Sequence, residues 1–223
     1  MGVSTCIVNV AVGAYLPSQE RLAQSLKDVG YEGATMFWTG EFPAGCPGHL
    51  EVPYAFKTFA LTEAKKAGHE IVLWVDSSLY AVQNPQPVLS WIEEHGHLFE
   101  LAGHWLGTWC TDAFLEKNEI TRDEAMVIPM YSAGFTGLDL RLPKSREFLR
   151  QWHKMAVDGV SFIGLWQGKS NDPRYRGHRH DMSAASLLAY RLGMKLTDPR
   201  FMVYAAYTPN PSADAVFLCK GIA

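Results

Sequence analysis

Three short apolar runs alternate with two amphipathic segments over the first 75 residues, and this alternation is the strongest constraint on the fold. The runs cover residues 6–12, 34–39 and 71–75. Between them, apolar residues recur at the spacing of one helix face, and each segment ends at a glycine, Gly30 or Gly68. The third run, Ile-Val-Leu-Trp-Val, contains no polar residue, as expected for a strand covered by helices on both faces. Alternating strands and helices predict an α/β fold with a parallel sheet.

The second half of the chain has a weaker pattern. Residues 90–120 have mostly helical spacing, although glycines interrupt it. Residues 138–142 alternate leucine with polar side chains, which predicts a strand with one buried face. One helix is predicted to begin at Pro143 and another to follow Asp181, and residues 201–207 predict a final strand.

Composition and charge narrow the class of protein. The chain has 223 residues, of which 48% are hydrophobic, enough for one domain over residues 1–223 with a sizeable core. Twenty Lys and Arg against 23 Asp and Glu give a net charge of −3, which argues against a protein that binds duplex nucleic acid. The four cysteines form no metal-binding motif, and no apolar run reaches the ~20 residues of a transmembrane helix. We expect a cytoplasmic protein.

A carboxylate follows the most hydrophobic predicted strand, where Asp76 is succeeded by Ser77 and Ser78. In an open α/β sheet, ligands bind beyond the carboxyl ends of the strands. Carboxylate and hydroxyl oxygens at such an end can hold a divalent cation, which in turn bridges phosphate oxygens. The alternative is that Asp76 caps the turn after the strand.

A second polar cluster lies in residues 177–183, where the last helix is predicted to begin. It combines His178, Arg179, His180 and Asp181 beside the free amides of a helix start, which favours an anion or a metal-bound anion. Alternatively, Asp181 is the N-cap of this helix and both histidines are solvated. The chain lacks the Gly-x-Gly-x-x-Gly and Walker-type loops of dinucleotide-dependent and P-loop enzymes.

Four segments of the chain resemble, in this order, the motifs of GT-A-type glycosyltransferases, the nucleotide-diphospho-sugar transferase superfamily. The segments are 54–57 (Tyr-Ala-Phe-Lys), 72–78 (Val-Leu-Trp-Val-Asp-Ser-Ser), 133–137 (Ala-Gly-Phe-Thr-Gly) and 178–183 (His-Arg-His-Asp-Met-Ser). The resemblance implies a single GT-A-like, Rossmann-like domain with a mainly parallel central sheet flanked by helices. Residues 1–78 would form the nucleotide-binding half, and residues 79–223 would form the acceptor half.

The resemblance also implies roles on the donor side of the site. Asp76 stands at the first Asp of the family's Asp-x-Asp metal motif, and His180 would be a further ligand of Mn²⁺ or Mg²⁺. Ser78 stands where the family usually has the second Asp. Because a hydroxyl is a weaker ligand than a carboxylate, we expect weakened metal binding. Lys57, Ser78, His178 and His180 would face the donor diphosphate.

On the acceptor side, the resemblance implies that Asp181 is the catalytic carboxylate. In an inverting mechanism it would be the base, and in a retaining mechanism it would orient the donor sugar. Gly134 and Gly137 would leave room for a sugar to approach the backbone. From the residues alone, each glycine equally marks a bulge, and Lys57 equally is a solvated surface lysine.

The activity implied by the resemblance is transfer of a sugar from a nucleotide-diphosphate sugar to an acceptor hydroxyl, assisted by a metal. Two alternatives use the same residues. A metal-dependent phosphoesterase would hold its cation at Asp76 and the histidines. A non-catalytic nucleotide- or sugar-binding domain would account for Ser78 at the second position of the metal motif.

Overall fold

The computed structural model describes residues 2–206 and 213–222, which form eight strands and seven α-helices. The strands are β1 (Thr5–Ala11), β2 (Ala34–Thr39), β3 (Ile71–Val75), β4 (Leu79–Ala81), β5 (His97–Trp105), β6 (Pro129–Asp139), β7 (Met202–Tyr204) and β8 (Phe217–Cys219). The helices are α1 (Leu16–Asp28), α2 (Ala55–Lys66), α3 (Gln86–His95), α4 (Asp112–Lys117), α5 (Arg122–Ala125), α6 (Pro143–Ala156) and α7 (His180–Arg191). Within these residues, no helix has both the length and the apolar character needed to span a bilayer.

Five strands form the central sheet in the order β2-β1-β3-β6-β5. Strand β1 is parallel to both β2 and β3, whereas β6 is antiparallel to its neighbours β3 and β5. Four of the five strands therefore run in one direction, which confirms the prediction of a mainly parallel sheet flanked by helices. The three short strands form a second sheet in the order β4-β8-β7.

The continuous apolar run of β3 is explained by burial on both faces of the sheet. Val72 and Trp74 pack into a core that contains residues of α2, α6 and α7. Ile71, Leu73 and Val75 pack into a second core with residues of α1 and α3. All five side chains are almost fully buried, so neither face of this strand tolerates a polar residue until Asp76.

A buried polar network ties the carboxyl ends of β1 and β3 together. Asn9 donates from its side-chain amide to the carbonyl of Val75 (2.6 Å) and accepts from Gln19 (2.7 Å) and from the hydroxyl of Ser77 (3.1 Å). Because buried amides and hydroxyls are costly unless they are paired, these bonds fix how the two strands end. Ser77 is thereby explained as a structural residue.

The structure corrects the sequence prediction in the second half. Residues 90–120 are not mostly helical, because α3 ends at Gly96 and the chain continues as the edge strand β5. The strand predicted at 138–142 is the end of the longer β6, and the chain turns into α6 at Leu142. Of the strand predicted over residues 201–207, β7 occupies the middle, and Tyr207 lies outside the described residues.

Candidate functional site

Two cavities meet at the carboxyl ends of β1 and β3, where the strand order of the sheet reverses. The polar cavity has a volume of about 180 Å³, and its lining includes Tyr54, Lys57, Asp76, Ser78, Ser132, Gly134, Trp166, Arg179 and Asp181. The aromatic cavity has a volume of about 430 Å³, and its lining includes Val12, Tyr15, Phe42, His49, Tyr54, Phe56, Trp74, Asp76 and Ser78. Tyr54, Asp76 and Ser78 line both, so they form the boundary between the two spaces.

A buried ion triad, Asp76–Lys57–Asp181, forms one wall of the polar cavity. The Lys57 ammonium lies 3.0 Å from Asp76 Oδ1 and 2.9 Å from Asp181 Oδ2, and it also donates to the carbonyl of Ala133 (3.0 Å). Lys57 and Asp181 are 3% and 5% exposed, whereas Asp76 is 31% exposed toward the cavities. The structure therefore brings together three residues that the sequence analysis assigned to separate roles.

The charges of the triad depend on one another. Burial opposes the charge of Lys57, but the two carboxylates outweigh it and hold the lysine pKa above its ordinary value. Burial raises the pKa of Asp181, and Lys57 counteracts part of that rise. Among the described residues, no well-aligned hydrogen bond reaches Asp181 Oδ2, so the ammonium charge compensates for its burial. Asp181 Oδ2 is thus a buried carboxylate oxygen that lies against the Lys57 ammonium.

Asp181 is not the cap of its helix, contrary to the alternative drawn from the sequence. Helix α7 begins at His180 with Arg179 in the N-cap position, and Asp181 lies inside the first turn. Its side chain extends to Lys57 in the first turn of α2 instead of returning to its own helix amides. Lys57 is likewise buried, so the alternative that it is a solvated surface lysine is wrong.

Two helix starts beside the triad have left-handed backbone at residues other than glycine. Tyr54, in the N-cap position of α2, has φ +63°, and His180, the first residue of α7, has φ +46°. Such conformations cost on the order of 1–3 kcal/mol and persist only where surrounding contacts impose them. The two strained residues stand directly before the segments that supply Lys57 and Asp181.

Asp76 is held in place by its neighbours. Trp74 donates its indole N–H to Asp76 Oδ1 (2.6 Å), and the Asp76 backbone N–H donates to the carbonyl of Gly134 (2.9 Å). A Cβ atom at Gly134 would lie 2.7 Å from Asp76 Oδ2, which is closer than atoms can approach without displacement. Gly134 therefore matters because it leaves space for this carboxylate.

The two histidines predicted to contact metal or phosphate have other partners. His178 is fully buried, its Nε2 lies 3.0 Å from the carbonyl of Ser161, and burial lowers its pKa to about 3. The Nδ1 of His180 lies 3.0 Å from the carbonyl of Phe162, and burial also lowers the pKa of this ring. One ring nitrogen of each histidine thus contacts a carbonyl at the start of the loop over residues 161–178, and the lowered pKa values favour neutral rings.

Gly137 does not lie at the cavity. In β6 it pairs with Leu73 and Leu98, and a Cβ atom there would lie 2.4 Å from Ile92 of α3. This glycine permits close packing of α3 on the sheet, so the structure places only Gly134 of the two predicted acceptor-side glycines beside the candidate site.

Arg179 is a site residue to which the sequence analysis gave no role of its own. Its guanidinium lies between the rings of Trp109 and Trp166, 3.6 Å and 3.9 Å from the two ring centres. It also donates to the carbonyl of Trp166 (2.7 Å). Stacking and hydrogen bonding together fix this cation at the edge of the polar cavity. Its place beside two histidines and Asp181 in the sequence was the available signal.

The donor set does not fit a divalent cation held by protein groups. Within the described ranges, no group of three or more His, Cys, Asp or Glu side chains converges as metal ligands. Asp76 and Asp181 instead share the ammonium of Lys57, and Ser78 contributes a neutral hydroxyl at the cavity edge. The Lys57 ammonium thus supplies a positive charge between these two carboxylates, and His180, the other predicted metal ligand, contacts the carbonyl of Phe162.

Comparison with solved structures supports a GT-A-like glycosyltransferase fold. A glycosyltransferase involved in glycosylation of the major capsid of PBCV-1 superposes with a TM-score of 0.53 at 14% identity, covering 97% of this chain and 93% of the other. Mouse xyloside xylosyltransferase 1 gives a TM-score of 0.52 at 10% identity, covering 97% of both chains. The bifunctional glycosyltransferase WbbM gives 0.54 at 8% identity; the match covers 98% of this chain but only 46% of WbbM.

These identities establish likeness of fold. No model of a protein family and no curated protein matches the sequence. The structural neighbours therefore confirm the predicted fold.

Proposed function

We propose that this chain is a glycosyltransferase that moves a sugar from a nucleotide-diphosphate sugar to an acceptor hydroxyl. The observation that carries the proposal is the ion triad of Lys57, Asp76 and Asp181, which lies at the carboxyl ends of the strands between two cavities. The three solved structures named above, all glycosyltransferases, share the fold that builds this position.

The aromatic cavity suits the nucleoside of the donor. Rings of Tyr15, Phe42, Tyr54 and Phe56 offer stacking surfaces, and the volume of about 430 Å³ lies within the usual size of small-molecule sites. Nearly all of its lining residues fall within residues 1–78, which supports the assignment of this segment as the nucleotide-binding half, with 79–223 as the acceptor half. The diphosphate would then lie at Asp76 and Ser78, and the donor sugar in the polar cavity.

Asp181 is the proposed catalytic carboxylate. One oxygen of the Asp181 carboxylate, which lines the polar cavity, would accept the proton of an acceptor hydroxyl that enters this cavity. Lys57 counteracts the rise in the pKa of Asp181 that burial causes, which favours the ionised form that a base requires. In a retaining reaction the same oxygen would orient the donor sugar.

The leaving diphosphate gathers negative charge as the bond to the sugar breaks, and fixed cations lower the energy of that state. Lys57 and Arg179 are the cations of the polar cavity. Because the residues do not fit a protein-held divalent cation, we assign charge stabilisation to these two side chains. We expect transfer to continue in EDTA.

A thermal-shift screen tests the proposal. UDP, GDP, CDP and ADP are each added with Mn²⁺ or with EDTA. A nucleotide present at 100 times its Kd stabilises by about 2.7 kcal/mol, which raises the Tm by roughly 5–10 °C in a chain of this size. We expect one nucleotide to do so in both conditions, and Tyr15→Ala to weaken the shift. If no nucleotide diphosphate raises the Tm, the proposed function is wrong; a shift that requires Mn²⁺ would overturn the assignment to Lys57.

A further inference from the structure

A third cavity, which we call the cationic cavity, opens beside the polar cavity. Its volume is about 520 Å³, and it is defined by Trp109, Gln167, Gly168, Lys169, Arg176 and Arg179. Arg179 lines both this cavity and the polar cavity, so its guanidinium is the wall between them. A molecule in the cationic cavity therefore lies next to the space that Asp181 faces.

The charge of the cationic cavity is uncompensated. Its lining contains three cations and no carboxylate. Over residues 2–206 and 213–222, neither Lys169 nor Arg176 forms an ion pair, and the side-chain hydrogen bonds of Arg179 go to backbone carbonyls. Two nearby arginines, in contrast, do form ion pairs: Arg122 with Asp112 and Arg174 with Asp172. Lys169 and Arg176 are exposed, and together with Arg179 they place three cations side by side in a chain of net charge −3, an arrangement that favours an anionic ligand.

The walls of the cavity are built by tertiary contacts as well as by surface side chains. The Arg176 backbone N–H donates to the carbonyl of Thr108 (2.9 Å), and Gly168 donates to the carbonyl of Arg176 (3.2 Å). A Cβ atom at Gly168 would lie 2.7 Å from the hydroxyl of Tyr175, so the loop approaches this ring closely. With Arg179 fixed between two tryptophan rings, a guanidinium is presented to the cavity in one orientation.

We propose that the cationic cavity binds an oxyanion, phosphate or carboxylate, carried by the sugar acceptor. This inference rests on the proposed function, since it takes Asp181 as the place where the acceptor hydroxyl reacts. An oxyanion held by Lys169 and Arg176, beside Arg179, places the neighbouring part of the acceptor in the polar cavity. The substrate class is therefore an anionic acceptor, either a glycosyl phosphate or an acidic sugar.

Titrations monitored by tryptophan fluorescence test the site without nucleotide, because Trp109 lies in its wall. The probes are glucose 1-phosphate, glucuronate and neutral glucose, which share a ring and differ in charge. We expect one anionic sugar to bind at least tenfold more tightly than glucose, and 0.5 M NaCl to weaken that binding. The stronger anion identifies phosphate or carboxylate as the natural group.

The double variant Lys169→Gln with Arg176→Gln should bind the anionic sugar at least tenfold more weakly than the parent. Lys154→Gln is the matched control, because Lys154 is an exposed lysine on α6 that lines a different cavity. The inference is overturned if neither anion binds more tightly than glucose, or if the double variant binds the anion as the parent does.

Nucleotide titration of the same proteins separates this inference from the proposed function. Loss of nucleotide diphosphate binding in the double variant would make the cationic cavity part of the donor site and overturn the inference. If an anionic sugar binds through Lys169 and Arg176 while no nucleotide binds, the transferase proposal fails and the oxyanion site stands. If nucleotides bind and anionic sugars do not, the oxyanion site fails alone.

Discussion

Replacing Lys57 with methionine removes the ammonium between Asp76 and Asp181 and retains most of the side-chain volume. Asp76 is 31% exposed, so water can compensate for the lost charge. Asp181 is 5% exposed and has no other cation within ion-pair distance among the described residues. Breaking a buried ion pair by removing one partner costs roughly 3–5 kcal/mol. We expect the free energy of unfolding of Lys57→Met at pH 8 to be lower by this amount. This change corresponds to a Tm lower by roughly 6–20 °C.

The stability lost in Lys57→Met should depend on pH, and the direction of this dependence follows from the pKa of Asp181. Burial raises this pKa, and without Lys57 the counteracting effect disappears. A carboxyl whose folded-state pKa exceeds its unfolded value favours folding at low pH, and this contribution is lost as the pH rises through the folded-state pKa. Urea unfolding of Lys57→Met, followed by tryptophan fluorescence at pH 5 and pH 8, should therefore show the larger loss at pH 8.

Two further variants test the reason for this loss. Adding Asp181→Asn to Lys57→Met removes the unpaired charge and should restore most of the stability at pH 8. Lys65→Met changes an exposed lysine of the same helix and should cost less than about 1 kcal/mol. The reasoning is refuted if Lys57→Met loses less than about 1 kcal/mol at pH 8, or loses the same amount at both pH values.

Three other changes test individual residues. Asp181→Asn should preserve the fold yet lower sugar transfer by about 10²–10⁴-fold, as measured with the donor that the thermal-shift screen identifies; parental activity would place the catalytic carboxylate elsewhere. Gly134→Ala should displace the Asp76 carboxylate and reduce transfer at least tenfold, and an unchanged rate would show that the displacement is harmless. Burial raises the pKa of Glu100 from its ordinary 4.5 to about 7, so its contribution to stability falls by about 3 kcal/mol as the pH rises from 4.5 to about 7 and beyond. Glu100→Gln should remove this fall in urea unfolding at pH 5 and pH 8, and a variant that keeps the parental pH dependence contradicts it.

The part of the fold predicted from sequence is the part whose signals are local. Strands β1, β2 and β3 and helix α2 have unbroken apolar patterns, and the carboxylate of Asp76 directly follows such a strand. Strand β5 was missed because its register shifts against β6 remove the alternation that identifies a strand, and the glycines of that segment interrupt any pattern. Its exposed Leu101 and Trp105 add apolar residues where no core lies.

The candidate site was predicted residue by residue but not as an arrangement. Lys57 and Asp181 each occupy the first turn of an amphipathic helix, and either position is compatible with solvent exposure or with capping. Their contact depends on how α2 and α7 pack on the same face of the sheet, which periodicity does not specify. For the same reason His178 and His180 were assigned to a ligand, although one ring nitrogen of each contacts a loop carbonyl.

The left-handed backbone at Tyr54 and His180 bears on how the site meets a ligand. Elsewhere among the described residues, left-handed positions are mostly glycines, whereas these two positions retain aromatic rings that contact each other with their centres 5.5 Å apart. The contact between these two rings and the ion pairs of Lys57 with Asp76 and Asp181 hold both turns in this backbone conformation. The charges of Lys57 and Asp181 are consequently oriented before a ligand arrives. Binding then requires little reorganisation energy, which is the condition under which fixed charges act most strongly on a reaction.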